Sequence, residues 1–119
     1  MKANELRIGN LIDLGNRIAK INEIYHTACT VLDLEETQDT IEDYERTKPI
    51  PLTRESLLKF GFQDKFSEKR IYFRIKGMLI EVKNGSKFYY NNIHLKYIHQ
   101  LQNLYFALTG KELILKEYE

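Results

Sequence analysis

Pro49 and Pro51 stand one residue apart near the middle of the chain, in Pro49-Ile50-Pro51-Leu52, and they are its only prolines. Each ring fixes φ at about −65° and removes a backbone donor, so neither a helix interior nor a central strand accommodates the pair. The backbone must cross this segment in an extended edge path, which makes it the expected internal boundary. The chain has 119 residues, short enough for one compact domain over 1–119. A sub-boundary is expected near 46–52, between a β-rich acidic part, 1–48, and a basic part, 49–119.

Charge divides at nearly the same place. Residues 1–45 hold 4 Lys/Arg against 10 Asp/Glu, and residues 46–119 hold 14 against 7, so the two parts carry −6 and +7 within a net charge of +1. The acidic excess is concentrated in Asp33, Glu35, Glu36, Asp39, Glu42, Asp43 and Glu45. Such a block reads as a solvated loop or edge strand, or as a shield for the basic part of the same chain or of a neighbouring subunit. A calcium loop counted from Asp33 would need glycine at its sixth position, where Gln38 stands.

The first part reads as β-structure. Leu6 to Leu14 and Arg17 to Tyr25 carry partly alternating apolar residues on either side of Gly15-Asn16, a dipeptide suited to φ > 0 turn positions. A hairpin is predicted there, followed by a strand over Ala28 to Leu34 and another near Ile41 to Tyr44. Together they make a small antiparallel sheet or partial barrel. After the prolines, Thr53 reads as the N-cap of a two-turn helix that buries Leu57, Leu58 and Phe60 and stops at Gly61. Ile71 to Lys76 and Met78 to Lys83 flank Gly77 as a second hairpin, and Asn84-Gly85 turns the chain into a third strand, Lys87 to Tyr90.

Asn91 or Asn92 is expected to cap a final helix that runs to Thr109 and ends on Gly110. At about 100° per residue, Ile93, Tyr97, Ile98, Leu101, Leu104, Tyr105 and Leu108 fall within an arc of about 140°, the width of a core-facing stripe. Leu113, Ile114 and Leu115 would add a terminal strand. The predicted class is α+β: an N-terminal antiparallel sheet or partial barrel, a short helix, a three-stranded β-meander and a core-packed C-terminal helix.

Leu95, His99, Gln102 and Phe106 lie outside the apolar arc at spacings of four, three and four, so on a continuous helix they share a second face. That face is a candidate contact surface for a protein partner or a second copy of the chain. Alternatively, Leu95 and Phe106 widen the buried side. A second candidate surface is basic. Between Arg46 and Lys96 there are 12 Lys/Arg against 4 Asp/Glu, interleaved with Phe66, Tyr72, Phe88, Tyr89 and Tyr90. In Ile71 to Lys76, alternation separates Ile71, Phe73 and Ile75 from Tyr72, Arg74 and Lys76. Arg70, Tyr72, Arg74, Lys76, Lys83 and Lys87 are the residues expected to contact nucleic acid, cations on phosphates and tyrosine on bases.

Several chemistries lack sequence support. No Gly-x-Gly-x-x-Gly or Gly-Lys-Ser/Thr run occurs, so no loop is offered to phosphates. His94 and His99 are five apart, and His26 and Cys29 three apart in strand-like sequence, so neither pair has the spacing of metal ligands; no metal or other cofactor is expected. Cys29, the single cysteine, lies in an apolar strand and reads as a structural thiol of a reducing compartment. No run approaches the roughly 20 apolar residues of a membrane span. The start, Met1-Lys2-Ala3-Asn4-Glu5, lacks a signal peptide's apolar core. The expectation is a soluble, cytoplasmic, non-enzymatic chain.

Three blocks carry a resemblance: Glu5 to Asn10, Pro49 to Phe62, and Tyr97 to Gly110 with its His99-Gln100-Leu101-Gln102-Asn103-Leu104-Tyr105 run. They resemble a family of short proteins from Bacteroides-type gut bacteria and their prophages, a family without an assigned activity. Ser56 stands where that pattern often carries a large aromatic. The resemblance implies an accessory protein of a mobile element, and with it a phage- or prophage-associated protein-interaction module as the first expected function. The second is a nucleic-acid-binding accessory protein that uses the basic sheet face.

Overall fold

The computed structural model describes residues 1–33, 39–67, 70–84 and 86–115. The chain is α+β and divides into two compact units, Met1–Ile50 and Pro51–Glu119, with the division inside the segment the prolines mark.

The first unit is a four-stranded antiparallel sheet in chain order, β1 (Leu11–Asp13), β2 (Ile18–Ile24), β3 (Ala28–Asp33) and β4 (Asp39–Asp43). The expected first hairpin is present. Gly15 takes φ +97°, its N–H donates to Asp13 Oδ1 at 2.7 Å, and Leu14 N donates to Arg17 O at 2.9 Å. Alternation puts Ala19 and Ile21 on the same side as Cys29 and Val31, and these pack with Ile12 and Leu6 into one cluster. A register shift between Ile21 and Glu23 leaves Asn22 as a bulge. Lys48 and Asp13 exchange two backbone hydrogen bonds, of 2.8 and 2.9 Å, which tie the end of the unit to β1. The acidic strand β4 is an edge. Asp39, Thr40, Ile41 and Asp43 are exposed, whereas Glu35 and Glu36 lie outside the described residues.

The second unit opens with α1 (Arg54–Lys59). Thr53 caps it as expected: Thr53 Oγ1 accepts from Ser56 N at 3.1 Å, and Ser56 Oγ accepts from Thr53 N at 2.9 Å. Leu57 and Phe60 are buried, but Leu58 is exposed, because on so short a helix one side alone reaches the core. Five antiparallel strands follow in chain order: β5 (Gln63–Ser67), β6 (Arg70–Ile75), β7 (Met78–Lys83), β8 (Lys87–Tyr90) and β9 (Ile93–Leu95). The three-stranded meander is therefore the centre of a larger sheet. β5, whose sequence Gln-Asp-Lys-Phe-Ser has little strand character of its own, is held by its pairing with β6.

The last helix, α2 (Ile98–Thr109), starts later than periodicity alone indicates. Asn91 and Asn92 both adopt positive φ, 45° and 69°, and form the two-residue turn between β8 and β9. Asparagine suits a left-handed turn as well as an N-cap, and here the pairing of β9 decides in favour of the turn. Tyr97 is the N-cap residue, and Gln100 Oε1 accepts from both Lys96 N at 2.8 Å and Tyr97 N at 3.2 Å. The helix ends at Gly110, φ +73°, as expected. Thr109 Cγ2 lies 3.2 Å from where a Cβ on Gly77 would stand, so the β6–β7 turn closes against the end of α2. Leu113 to Leu115 form no strand, although Leu113 is buried.

Candidate functional site

Register decides which side chains of the five-stranded sheet share a face. Lys65 pairs with Tyr72, Tyr72 with Glu81, Glu81 with Tyr89, and Tyr89 with His94. These five residues form one unbroken row across all five strands. The adjacent level on one side holds Gln63, Arg74 and Leu79, and towards the other end stand Arg70 and the pair Lys83–Lys87. The opposite face carries the buried Phe73, Ile80, Phe88 and Leu95, with Phe73 and Phe88 in edge contact at 6.2 Å. The row and its flanks thus face away from the core. Arg70, Arg74, Leu79 and Lys87 are exposed, and Tyr72, Glu81, Lys83, Tyr89 and His94 are half-buried.

This face is organised around Glu81. Its carboxylate lies 3.4 Å from Lys83 Nζ and 3.6 Å from Arg70 Nη1, while Arg70 Nη1 also reaches the Tyr72 hydroxyl at 3.5 Å. The Tyr72 hydroxyl, and after it Glu81, push the Arg70 guanidinium further above its already high pKa, so it is a permanent cation. Lys83 Nζ sits 5.1 Å from the centre of the Tyr89 ring and donates to Asn92 Oδ1 at 3.2 Å. Tyr89 stacks on His94 with ring centres 4.9 Å apart and planes 21° apart. A shallow groove of about 620 Å³ runs over this region, lined among others by Tyr72, Arg74, Leu79, Glu81, Tyr89 and Asn92. A second depression, of about 570 Å³, adjoins it at Arg74 and includes Lys76.

Of the six residues expected to contact nucleic acid, Arg70, Tyr72, Arg74, Lys83 and Lys87 share this face. Lys76 lies just beyond the end of β6, in the turn beside Gly77, and lines the adjoining depression with Gln63 and Arg74. Tyr89, one of the aromatics interleaved with the cations in the sequence, completes the surface together with Glu81 and His94, which no sequence pattern singles out. Their signal lies in the short connections between β7 and β8 and between β8 and β9, which set Glu81 opposite Tyr89 and Tyr89 opposite His94.

The other expected surface is corrected. Leu95 belongs to β9 and is buried, so it is not on the helix at all. His99 and Gln102 are buried as well, with His99 stacked against Tyr97 at 5.8 Å; of the four, Phe106 alone is exposed, at 39%. Once the helix begins at Ile98, its inward side is Ile98, His99, Leu101 and Gln102, and the spacing measured from Leu95 has no physical meaning. Leu108, expected in the core stripe, is 45% exposed.

Among the described residues, no group of three His, Cys, Asp or Glu side chains is placed to hold a metal ion. No described helix is long and apolar enough to cross a membrane. No protein-family model, curated protein or solved structure matches the chain.

Proposed function

We propose that the outward face of the β5–β9 sheet binds single-stranded nucleic acid, and that the chain acts as an accessory nucleic-acid-binding protein. The observation that carries this reading is the cross-strand row: Tyr72 and Tyr89 stand two strands apart on one face, with Arg70, Lys83 and Lys87 towards one end and Arg74 towards the other. At 4.7–4.9 Å per strand, the tyrosines are about 10 Å apart, a spacing that lets two bases lie over one sheet. A sheet surface is flat enough for bases splayed from a single strand, and every base offers a π-face to stack. The cations around the row supply the phosphate contacts that give affinity without sequence preference. A duplex would present only its backbone here and leave the tyrosines unused.

The test is fluorescence anisotropy of a labelled mixed-sequence single strand across a salt series. With four cations on phosphates, log affinity is expected to fall against log salt with a slope of about −3. Tyr72→Ala and Tyr89→Ala should each weaken binding by about 1–3 kcal/mol. A salt-stable dimer that ignores nucleic acid would instead return the chain to the protein-interaction reading.

A further inference from the structure

We propose that Glu81 selects guanine, reading the base edge of a nucleotide held in the groove between Tyr72 and Tyr89; this rests on the nucleic-acid reading above. Among the described residues, Glu81 is the one acid on a face that otherwise carries Lys65, Arg70, Arg74, Lys83 and Lys87. Its carboxylate holds Arg70 and Lys83 in place, but at the centre of a phosphate-binding surface it also lowers the positive potential. Glu81 is directly opposite both tyrosines in the row and lines the groove with them. Its side chain is 25% exposed, and its cationic neighbours stand at 3.4 and 3.6 Å, beyond the roughly 2.7–2.9 Å of a direct charge-assisted hydrogen bond. A carboxylate accepts at about four lone-pair positions, so these two loose contacts orient Glu81 and leave it able to accept from a base.

The chemistry of the bases then chooses among them. Guanine presents two adjacent donors, the N1–H and the 2-amino group, which match the two oxygens of one carboxylate. Adenine and cytosine each set an amino group beside a ring-nitrogen acceptor that repels the second oxygen. Uracil sets its single N–H between two carbonyls. The guanine O6, next to N1, would meet the positive potential of Lys83, whose ammonium lies 3.4 Å from Glu81.

The experiment measures anisotropy of uracil octamers that carry one central guanine, inosine, adenine or cytosine, at a single salt concentration. Inosine retains N1–H and O6 but lacks the 2-amino group. The guanine strand is expected to bind about 10-fold more tightly than the other three, a typical discrimination for a bidentate pair. Glu81→Gln should abolish that preference while raising affinity for the plain uracil octamer, since it removes a negative charge from the phosphate-binding face. That rise also shows that the variant is folded. Equal binding of all four strands, or a guanine preference that survives Glu81→Gln, overturns the guanine assignment and leaves the nucleic-acid reading standing. Binding of none of them overturns both. Free GMP supplied as competitor separates two sources of the same base edge. Competition at the octamer's own concentration assigns the groove to a mononucleotide, a need for large excess assigns it to a strand, and guanine selection stands in either case.

Discussion

Cys29 shows how one side chain's surroundings set its chemistry. Burial pushes its thiol above the ordinary value of 9.0, and the nearby Glu42 adds to the shift. The Sγ atom lies 3.8 Å from the Glu42 carbonyl oxygen, which suits a protonated thiol donating weakly to it. A nucleophile would need the opposite shift. The sign for stability follows. Above about pH 9 the unfolded thiol loses its proton while the folded one keeps it, so the folded state binds more protons and stability falls as pH rises. Below the unfolded value the contribution is complete. Urea midpoints at pH 7 and pH 10 should therefore drop more for the native chain than for Cys29→Ala, and an equal drop would show that the thiol does not contribute. Ser56 illustrates a different local constraint. Its hydroxyl completes the cap of α1 with Thr53.

At the level of elements, α1 has only six residues, and isolated helices of this length are unstable in water, so Leu57 and Phe60 hold it by burial. Helix α2 is twice as long and amphipathic, yet its rotation is set by the sheet beneath it. Leu101 is completely buried and Leu108 is 45% exposed, although both lie on the apolar stripe expected from the sequence. Leu101→Ala should therefore cost about 2–5 kcal/mol of stability and Leu108→Ala about 0.5 kcal/mol or less, measured by chemical denaturation. Similar losses for the two would mean that the helix is rotated from the position described. The edge strand β4 sets an exposed apolar side chain between two acids. It exposes Ile41 at 76%, but Asp39 and Asp43 flank that residue and oppose edge-to-edge pairing with another copy.

For the whole molecule, the unequal charge follows the structural division, with −4 in residues 1–50 and +5 in residues 51–119. The excess is not spread over the second unit at random, because register gathers Arg70, Arg74, Lys83 and Lys87 on the sheet face opposite the buried one. Binding through that face should respond to salt in proportion to the cations used. The double variant Lys83→Ala/Lys87→Ala is expected to reduce the salt slope by about 1.4, at about 0.7 per phosphate contact for a single strand. An unchanged slope would place the phosphates elsewhere. The same substitutions on a surface that bound an apolar partner would leave affinity nearly independent of salt.

The sequence by itself determined the α+β class, the break at Pro49–Pro51, the turns at Gly15 and Gly77, the Thr53 cap and the helix stop at Gly110. These depend on local backbone preferences, which proline, glycine and a capping hydroxyl carry wherever the chain places them. Only the tertiary structure decided that Asn91 and Asn92 form a turn rather than a helix cap, that β5 and β9 join the meander, and that Leu95, His99 and Gln102 lie inside. It also decided that Glu81 stands between Tyr72 and Tyr89. Register and helix rotation are set by packing between segments distant in sequence, and a one-residue slip in a strand exchanges its inward and outward faces. The composition of the basic surface was legible in the chain, but its geometry arose from the pairing of five strands.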